Sequence, residues 1–351
     1  MATVAVDTNA FKRNYPLNCW WVAAYADEIG RVPLARWMLD MPVVMYRTVA
    51  GEVVALEDRC PHRQAPLSSG KIQGDAIECG YHGFQFGANG RCVRVPSMSS
   101  PPPIRVERYP VKEIGPLVWI YLGDLDKLDD VPSPPEISWM TAPNFAIRKG
   151  RMEIAANYLL LKENVLDLTH LGFVHASSFQ ITDWVNPPQV TTKGDTVSYR
   201  QEFIRSPLAP GYALSLGLEP GTPWNRVGTG TFLSPAAHAS ETAFFNPDAP
   251  DVPNGRNCFA HLTTPIDGEH MHYFYVVGRD YGHEDEAMDK LLEILVKGFK
   301  EDEAILEQVQ TRINRVPRRG STGERSVKAD AASVEARRIV ERWMARETIR
   351  D

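Results

Sequence analysis

The sequence predicts an α+β protein in which a small all-β domain precedes a larger domain with an antiparallel sheet and flanking helices. Residues 20–121 consist of short apolar runs separated by glycine-rich turn signals, which is typical of a small β domain. Residues 190–280 contain further strand-like runs, and helical patterns flank them on both sides. Between the two halves, residues 123–136 are acidic and then proline-rich, as expected of a linker.

These patterns define the domain boundaries. We expect an N-terminal arm at residues 1–14, the β domain at residues 15–122, the linker at residues 123–136 and the larger domain at residues 137–351.

Three helices are predicted in the larger domain. Helix-forming residues run from Ala155 to His170, and a longer helical pattern runs from Glu284 to Arg315. Acidic residues crowd the start of the second helix, where the helix dipole favours negative charge, and Val316-Pro317 should end it. A final helix is expected over Asp330–Arg346.

Composition excludes several classes of protein. The 351 residues carry a net charge of −6, which argues against a nucleic-acid partner because phosphate binding requires a concentrated basic surface. No apolar run approaches the roughly 18 residues of a membrane-spanning helix, and no secretory signal opens the chain. The cysteine count, five, is odd, so a disulfide framework is not expected, and we predict a cytoplasmic protein with no membrane partner.

Four potential metal ligands fall in two short motifs of the predicted β domain. The motifs read Cys-x-His at Cys60 and His62 and Cys-x-x-His at Cys79 and His82, with sixteen residues between His62 and Cys79. Thiolate and imidazole are transition-metal ligands, and each short motif can reach one site from one turn. The other three cysteines, Cys19, Cys92 and Cys258, are expected to be structural thiols.

Three interpretations of these motifs are open. Two cysteines and two histidines could hold a structural zinc, although zinc fingers usually pair cysteine with cysteine and histidine with histidine. One cysteine and one histidine in each loop instead suits a two-iron cluster with two thiolates on one iron and two imidazoles on the other. The third interpretation is chance placement of buried side chains.

A second polar cluster lies in the first helical pattern of the larger domain. Asn164, Asp167 and His170 follow one another at intervals of three, which keeps neighbours on one side of a helix. His170 and His175 would point about 140° apart on a straight helix. They can converge only if the helix ends or distorts between them, and Gly172 offers a place for this. The alternative is two ordinary histidines at a helix end.

An acidic partner for the two histidines is predicted at Asp302. It occupies a position within the apolar stripe of the helix at 284–315, whereas Glu301 and Glu303 should turn away into solvent. An ionised carboxylate on a buried face is costly unless it is paired or holds a metal. The alternative is a stripe that simply ends before Asp302. The apolar members of the stripe are Met288, Leu292, Leu295, Phe299, Leu306, Val309 and Ile313.

The motifs resemble those of a known family. Cys-Pro-His-Arg at 60–63 with Cys-Gly-Tyr-His-Gly-Phe at 79–84 is similar to the cluster-binding loops of Rieske proteins. The larger domain resembles the α subunits of Rieske non-haem iron oxygenases in two motifs. The first is Asn-x2-Asp-x2-His-x4-His, which begins at Asn164, and the second is Phe-x-Glu-Asp, which ends at Asp302. The resemblance covers roughly residues 15–345 and is strongest to the vanillate O-demethylase and dicamba monooxygenase-like group.

The resemblance implies a role for each motif residue. Cys60, His62, Cys79 and His82 would hold a [2Fe-2S] cluster. The mononuclear Fe(II) would be bound by His170, His175 and Asp302, with Asn164 near the iron but not a strong ligand.

The resemblance also implies a homotrimer, in which electrons cross between subunits. His82 of one subunit would hydrogen-bond Asp167 of its neighbour, which in turn contacts His170. We expect the Asp167 carboxylate to accept the hydrogen bond of His170 and to fix its tautomer. Asp167, together with Asn164 beside the iron, is therefore predicted to have a catalytic role.

Electrons must come from another protein. No Gly-x-Gly-x-x-Gly motif follows a strand, so a flavin or nicotinamide site is not predicted in this chain. The family resemblance implies a flavin- and ferredoxin-type reductase, so that NAD(P)H is used only indirectly.

The sequence leaves the substrate open. His261 resembles a substrate-facing position of the family, and an imidazole could hydrogen-bond a carboxylate or phenol of an aromatic acid. Its alternative is a strand histidine satisfied by its neighbours. Arg205, Arg226 and Arg256 could also meet an anion, although arginines in such segments are usually solvated.

The leading interpretation is an enzyme, a terminal oxygenase that uses O2 for O-demethylation or another monooxygenation of an aromatic substrate. The alternatives are a ring hydroxylase or dioxygenase of a carboxylated or sulfonated aromatic and, more remotely, a Rieske electron-transfer protein.

Overall fold

A computed structural model of the protein describes residues 14–315 and 325–348. Two predicted features lie outside these residues: most of the N-terminal arm, and the end of the long helix at Val316-Pro317. Residues Leu17–Glu136 form one compact unit, and the chain from Ile137 onward forms most of a second.

The first unit is built from three antiparallel sheets, which confirms the all-β prediction for this part of the chain. The sheets have the strand orders β1-β10-β9, β2-β3-β4 and β5-β6-β7-β8. Part of the predicted linker is ordered as a 3-10 helix over Leu125–Asp130. The strands are β1 (Trp20–Tyr25), β2 (Leu34–Met38), β3 (Met41–Arg47), β4 (Val53–Glu57), β5 (Lys71–Gln73), β6 (Ala76–Glu78), β7 (Gln85–Phe86), β8 (Cys92–Arg94), β9 (Val111–Ile114) and β10 (Leu117–Tyr121).

The core of this unit supports the two Cys/His motifs. Apolar side chains of the second and third sheets, such as Leu56 and Phe86, are fully buried and pack in one cluster with Cys60 and Cys79. Burial of each large apolar side chain stabilises the fold by about 1.5–3 kcal/mol. The motifs are therefore fixed to a packed core at their cysteine ends. Cys92 belongs to the same cluster, as expected of a structural thiol.

The second unit is centred on a seven-stranded antiparallel sheet with the strand order β11-β17-β16-β15-β14-β13-β12. Its central strands are long and follow one another as hairpins, so the predicted antiparallel sheet is confirmed. The strands are β11 (Ala146–Ile154), β12 (Gln189–Lys193), β13 (Thr196–Pro207), β14 (Pro223–Ser234), β15 (Ala237–Asn246), β16 (Ala249–Pro265) and β17 (Met271–Arg279).

Four α-helices accompany this sheet in the described residues: α1 (Tyr158–Leu166), α2 (Pro210–Ser215), α3 (Asp285–Arg315) and α4 (Ala331–Thr348). α3 and α4 agree with the predicted helices to within one or two residues. No helix in residues 14–315 or 325–348 combines the length and apolarity needed to cross a bilayer.

α1 is shorter than predicted. It begins after Asn157, whose side chain caps the helix by accepting a hydrogen bond from the amide of Leu159 at 2.9 Å. It ends at Leu166, because Asp167 adopts an extended conformation. His170 therefore lies outside the α-helix, in a 3-10 helix at Leu168–Gly172.

The buried face of α3 follows the predicted stripe in its first two thirds and then departs from it. Val309 and Ile313 are 36% and 51% exposed, so the last part of the predicted apolar stripe is wrong. Gln310 is buried in their place, and its side-chain carbonyl accepts a hydrogen bond from the amide of Asn157 at 2.9 Å. The face that is buried as predicted comprises Met288, Leu295, Phe299, Asp302 and Leu306.

Candidate metal centres and substrate cavity

The two Cys/His loops of the first unit share one backbone geometry. In each loop the amide four residues after the cysteine donates to the cysteine carbonyl, Gln64 to Cys60 at 2.8 Å and Gly83 to Cys79 at 3.1 Å. Gln64 and Gly83 both have positive φ values, of 62° and 70°. The left-handed conformation costs glycine least, and a Cβ at position 83 would lie only 2.9 Å from Pro96, so the second loop requires its glycine.

The loops bring all four predicted cluster ligands together. Cys60 and Cys79 are both 2% exposed, whereas the exposed rings of His62 and His82 lie 4.6 Å apart between centroids. Burial raises the pKa of the Cys60 thiol to about 11, and the adjacent Cys79 thiol contributes to the shift. Two inner thiols and two outer imidazoles fit the ligand set of a two-iron cluster with mixed ligation.

A second donor cluster lies in the other unit, on the segment that follows α1 and on α3. His170, His175 and Asp302 each offer one ligand atom, and these atoms all lie within 4.8 Å of one another. The Nε2 atoms of His170 and His175 lie 3.7 Å and 3.2 Å from Asp302 Oδ1. Two imidazoles and one carboxylate that leave further positions open are the ligand set of non-haem iron(II) oxygenases.

Hydrogen bonds on the opposite ring nitrogens orient both histidines. Nδ1 of His170 lies 2.6 Å from the carbonyl oxygen of Asp167, and Nδ1 of His175 lies 2.8 Å from Oε2 of Glu301. An oxygen partner at Nδ1 favours the tautomer whose Nε2 carries the free lone pair. Both Nε2 atoms are thereby directed at the carboxylate of Asp302.

The contact between Asp167 and His170 differs from the expectation. The backbone carbonyl of Asp167, not its carboxylate, contacts the imidazole. The carboxylate instead accepts from the amide of Thr169 at 3.0 Å and from its hydroxyl at 2.7 Å, which caps the 3-10 helix that carries His170.

Glu301 is the site residue that the sequence analysis missed. We expected it in solvent, but its carboxylate contacts His175 and accepts from Ser178 at 2.6 Å and from Ser177 at 3.2 Å. Burial raises the pKa of Glu301, but these hydrogen bonds outweigh burial and lower the pKa overall. The only sequence signal was its position beside Asp302.

Asp302 itself is held by a neutral donor. It is 6% exposed, and the side-chain amide of Asn164 donates to its Oδ1 at 2.9 Å. Burial lowers the pKa of His170. Burial also acts to lower the pKa of His175, but its contacts with Asp302 and Glu301 prevail and raise it.

A cavity of about 590 Å³ opens from this donor cluster. All three predicted metal ligands line it, together with Asn164, Glu284 and α3 residues from Ala287 to Asp302. Most of the remaining wall consists of apolar and aromatic side chains, which suits a small organic ligand. Wall residues of this kind include Leu171, Trp184, Tyr199, Phe259 and Leu291.

His261 also lines the cavity, on the floor formed by β16. Its Nδ1 lies 2.7 Å from the hydroxyl of Tyr273, and its ring packs edge-on against Phe299 with centroids 5.8 Å apart. Burial lowers the pKa of His261 to about 3, and the nearby Lys162 ammonium adds to the shift. The imidazole is therefore neutral at physiological pH and offers its Nε2 as a hydrogen-bonding group.

Family models match both units of the chain. Residues 154–346 match the vanillate O-demethylase oxygenase C-terminal domain, and residues 19–112 match the Rieske [2Fe-2S] domain. The chain is a Rieske non-haem iron oxygenase. Oxygenases of this family are oxidoreductases, and the predicted family and fold class are both confirmed.

Similar proteins align with nearly the whole oxygenase chain. A putative toluene-4-sulfonate monooxygenase system iron-sulfur subunit from Comamonas testosteroni is 32% identical, over 94% of this chain and 97% of its own. A vanillate O-demethylase oxygenase subunit from Pseudomonas sp. strain HR199 is 30% identical, over 95% and 96%. The crystal structure of dicamba monooxygenase bound to dicamba is 28% identical, with a TM-score of 0.87 over 95% and 98%.

The donor sets of the oxygenase fit the cofactors of its family, a [2Fe-2S] Rieske cluster and a mononuclear non-haem iron. The convergence of His170, His175 and Asp302 is the observation that fits the iron, because both imidazoles are already oriented with Nε2 inward. The bound cluster supplies single electrons, and the bound iron supplies oxygen activation.

Proposed function

We propose that the protein is the terminal oxygenase component of a system that oxidises an aromatic acid, by O-demethylation or another monooxygenation. The single observation that carries this proposal is the convergence of two histidines and one aspartate at a largely apolar cavity of about 590 Å³. Similarity to oxygenase subunits named for vanillate, dicamba and toluene-4-sulfonate supports an aromatic substrate with an anionic group.

Each site residue has a defined role in this proposal. His170, His175 and Asp302 bind the mononuclear iron, and Asn164 orients the Asp302 carboxylate through its amide. The Rieske cluster is held by the four loop residues, Cys60, His62, Cys79 and His82.

The cavity walls position the substrate and limit the access of water. Apolar side chains surround the aromatic ring, and their burial contributes about 25 cal/mol per Å² of apolar surface removed from water. His261 lies near the metal ligands, where its Nε2 can hydrogen-bond a polar substituent of the substrate. These contacts hold the reacting substituent close to the iron, which increases the rate by proximity and orientation.

The electron path requires partners of this chain. We propose a flavin- and ferredoxin-type reductase as the electron donor and a homotrimer as the active assembly, with Asp167 between the cluster of one subunit and the iron of the next. In this proposal Asp167→Asn keeps both metal centres but uncouples oxygen consumption from product formation. Unchanged coupling, measured as product formed per oxygen consumed, would contradict this role of Asp167.

We also propose that the reaction takes place in the cytoplasm. Five cysteines without a disulfide and a supply of NAD(P)H through the reductase support this location.

Turnover tests the proposed function directly. The iron-loaded protein, a compatible reductase and NADH are supplied with methoxylated and unsubstituted aromatic acids, while formaldehyde and oxygen uptake are measured together. Formaldehyde that matches oxygen uptake is the result expected of an O-demethylase. A hydroxylated product without formaldehyde would favour the ring-hydroxylase alternative, which similarity to a 3-chlorobenzoate-3,4-dioxygenase oxygenase subunit from Comamonas testosteroni also supports. A protein with full iron content and no substrate-dependent oxygen uptake would contradict both.

A further inference from the structure

Arg279, the last residue of β17, is a buried cation in the wall of the substrate cavity. It is 3% exposed, and its Nη2 donates to the carbonyl of Gly282. Its Nε is buried without a hydrogen-bond partner. Burying a charge without a counter-charge is costly, so an arginine in this state is prepared to bind an anion.

No carboxylate forms an ion pair with Arg279 in residues 14–315 or 325–348. The acids close to it along the chain and across the sheet are engaged elsewhere or exposed. Asp280 binds Arg256 at 2.7 Å, and Glu241 accepts from the Cys258 thiol at 3.6 Å. Glu284 also lines the cavity, but it is exposed to solvent. An anionic ligand is therefore the available partner for the guanidinium.

Arg279 belongs to a polar row that crosses three neighbouring strands. Asn257 of β16 lies opposite Arg279, and Thr242 of β15 lies opposite Asn257. All three residues line the cavity and are less than 9% exposed. The side-chain carbonyl of Asn257 accepts from the Tyr281 hydroxyl at 2.9 Å, which leaves its NH2 group as the donor. The row combines a forked cation with neutral hydrogen-bonding groups, a combination that suits a carboxylate or sulfonate.

The polar row lies at the end of the cavity away from the metal ligands. His261 and its cross-strand partner Tyr275 are each four residues from the row, about 13 Å along the strands. Both contact Phe299 of α3, which lies one helical turn from Asp302. α3 begins at Asp285, close to Arg279 in the chain, and reaches Phe299 about 21 Å later.

We propose that Arg279 binds the anionic group of the substrate and thereby selects aromatic acids whose reacting substituent lies opposite the anion. A 1,4-disubstituted ring separates its two substituents the most, so with one substituent at the metal ligands the other extends furthest toward the polar row. A 1,2-disubstituted ring presents both substituents at the same end of the molecule, so its anionic group stays near the metal ligands. This proposal rests on the proposed oxygenase function, because it uses the same cavity.

Equilibrium binding tests the proposal without turnover. The iron-loaded full-length protein is titrated anaerobically, without reductase, and binding is measured by calorimetry. The four probes are 4-methylbenzoate, 4-methylbenzenesulfonate, their uncharged analogue 4-methylbenzamide and the isomer 2-methylbenzoate. A hydrogen-bonded charge contact predicts that the better 1,4-anion binds at least about tenfold more tightly than the amide. We expect 2-methylbenzoate to bind about tenfold more weakly than 4-methylbenzoate, because it loses the same contact.

Three variants test whether Arg279 causes the preference for anionic probes. Arg279→Met removes the guanidinium and should abolish the preference for the anion. Arg279→Lys keeps the charge without the fork and should retain part of the preference. Lys297→Met removes one positive charge from an exposed position of α3 outside the cavity wall, and it should bind all four probes like the wild type.

Several results would overturn the proposal. Equal affinity of the wild-type protein for the 1,4-anions and the amide, or equal affinity for the two methylbenzoate isomers, would do so even if Arg279→Met fails to fold. A folded Arg279→Met protein that still prefers the anionic probes would also overturn the proposal. Failure here is distinguishable from failure of the proposed function, because coupled oxidation of an aromatic acid that Arg279→Met leaves unchanged would keep the oxygenase function and reject Arg279 as the anion site.

Discussion

The hydrogen bond between Glu301 and His175 predicts a measurable change in iron affinity. Glu301→Gln replaces the carboxylate by a neutral amide of the same shape, whose oxygen can still accept from Nδ1. Glu301→Ala removes the acceptor altogether. We expect iron binding to weaken in the order wild type, Gln, Ala, because the carboxylate both orients the imidazole and increases its basicity.

The magnitude follows from the geometry of the contact. The 2.8 Å distance between Nδ1 and Oε2 is that of a charge-assisted hydrogen bond, and such bonds are roughly twice as strong as neutral ones. Loss of a partner of this kind typically lowers metal affinity by about 10- to 100-fold, or about 1.4–2.8 kcal/mol. We therefore expect a loss of about tenfold for Gln and a loss closer to 100-fold for Ala.

The assay is an anaerobic Fe(II) titration of protein that retains its Rieske cluster. The visible spectrum of the cluster reports whether the first unit is intact in each variant. Glu303→Gln is the matched control, since Glu303 lies two residues further along α3 and its nearest charged partner is Lys300 at 3.5 Å.

An Fe(II) affinity of Glu301→Ala within twofold of the wild type would refute the reasoning. So would an equal loss in Glu303→Gln, because the effect would then reflect the summed charge of α3 and not the contact with His175.

Three further predictions concern the same unit. Asp302→Ala should lose the mononuclear iron and keep the Rieske cluster; full iron content with normal activity would reject Asp302 as a ligand. Gly298→Ala should lower the free energy of unfolding by about 1–3 kcal/mol, because a Cβ there would lie 2.1 Å from the ring of Phe179, which packs on His175. An unchanged melting temperature would contradict this prediction. The folded pKa of His261 is about 3 and its unfolded pKa about 6.5, so the unfolded chain binds more protons between these values. The free energy of unfolding should therefore fall as the pH drops below 6.5, and His261 contributes about 1.4 kcal/mol per pH unit to this loss. When stability is measured by urea unfolding, its dependence on pH should be shallower in His261→Asn than in the wild type.

Local periodicity predicted much of the second unit. It indicated the antiparallel sheet and the α3 helix, and it selected Asp302 from three consecutive acids by its place on the apolar face. These features depend on neighbours within a few turns of chain, which a single sequence displays. The end of α1 was harder to predict, because Asp167 ends the helix by capping Thr169 while the residues around it favour helix.

Contacts between distant segments could not be predicted in the same way. Glu301 meets His175 from 126 residues away, and nothing in its local pattern separates it from a solvated acid. For the same reason, the sequence could not show which arginines are buried or whether an acid pairs with them. Arg226 is buried but bound to Asp183, whereas Arg279, which the sequence analysis did not consider, is the buried arginine without an acidic partner in the described chain.

The length of α3 has a consequence for engineering this enzyme. The helix lines the cavity from Ala287 to Asp302, about 22 Å apart, so one helix carries both a proposed iron ligand and the far wall. Substitutions near Ala287 and Leu291 can reshape the outer part of the cavity without touching the proposed iron ligands. A library confined to that end would vary which molecules are accepted, whereas a library around Phe299 would alter acceptance and chemistry together.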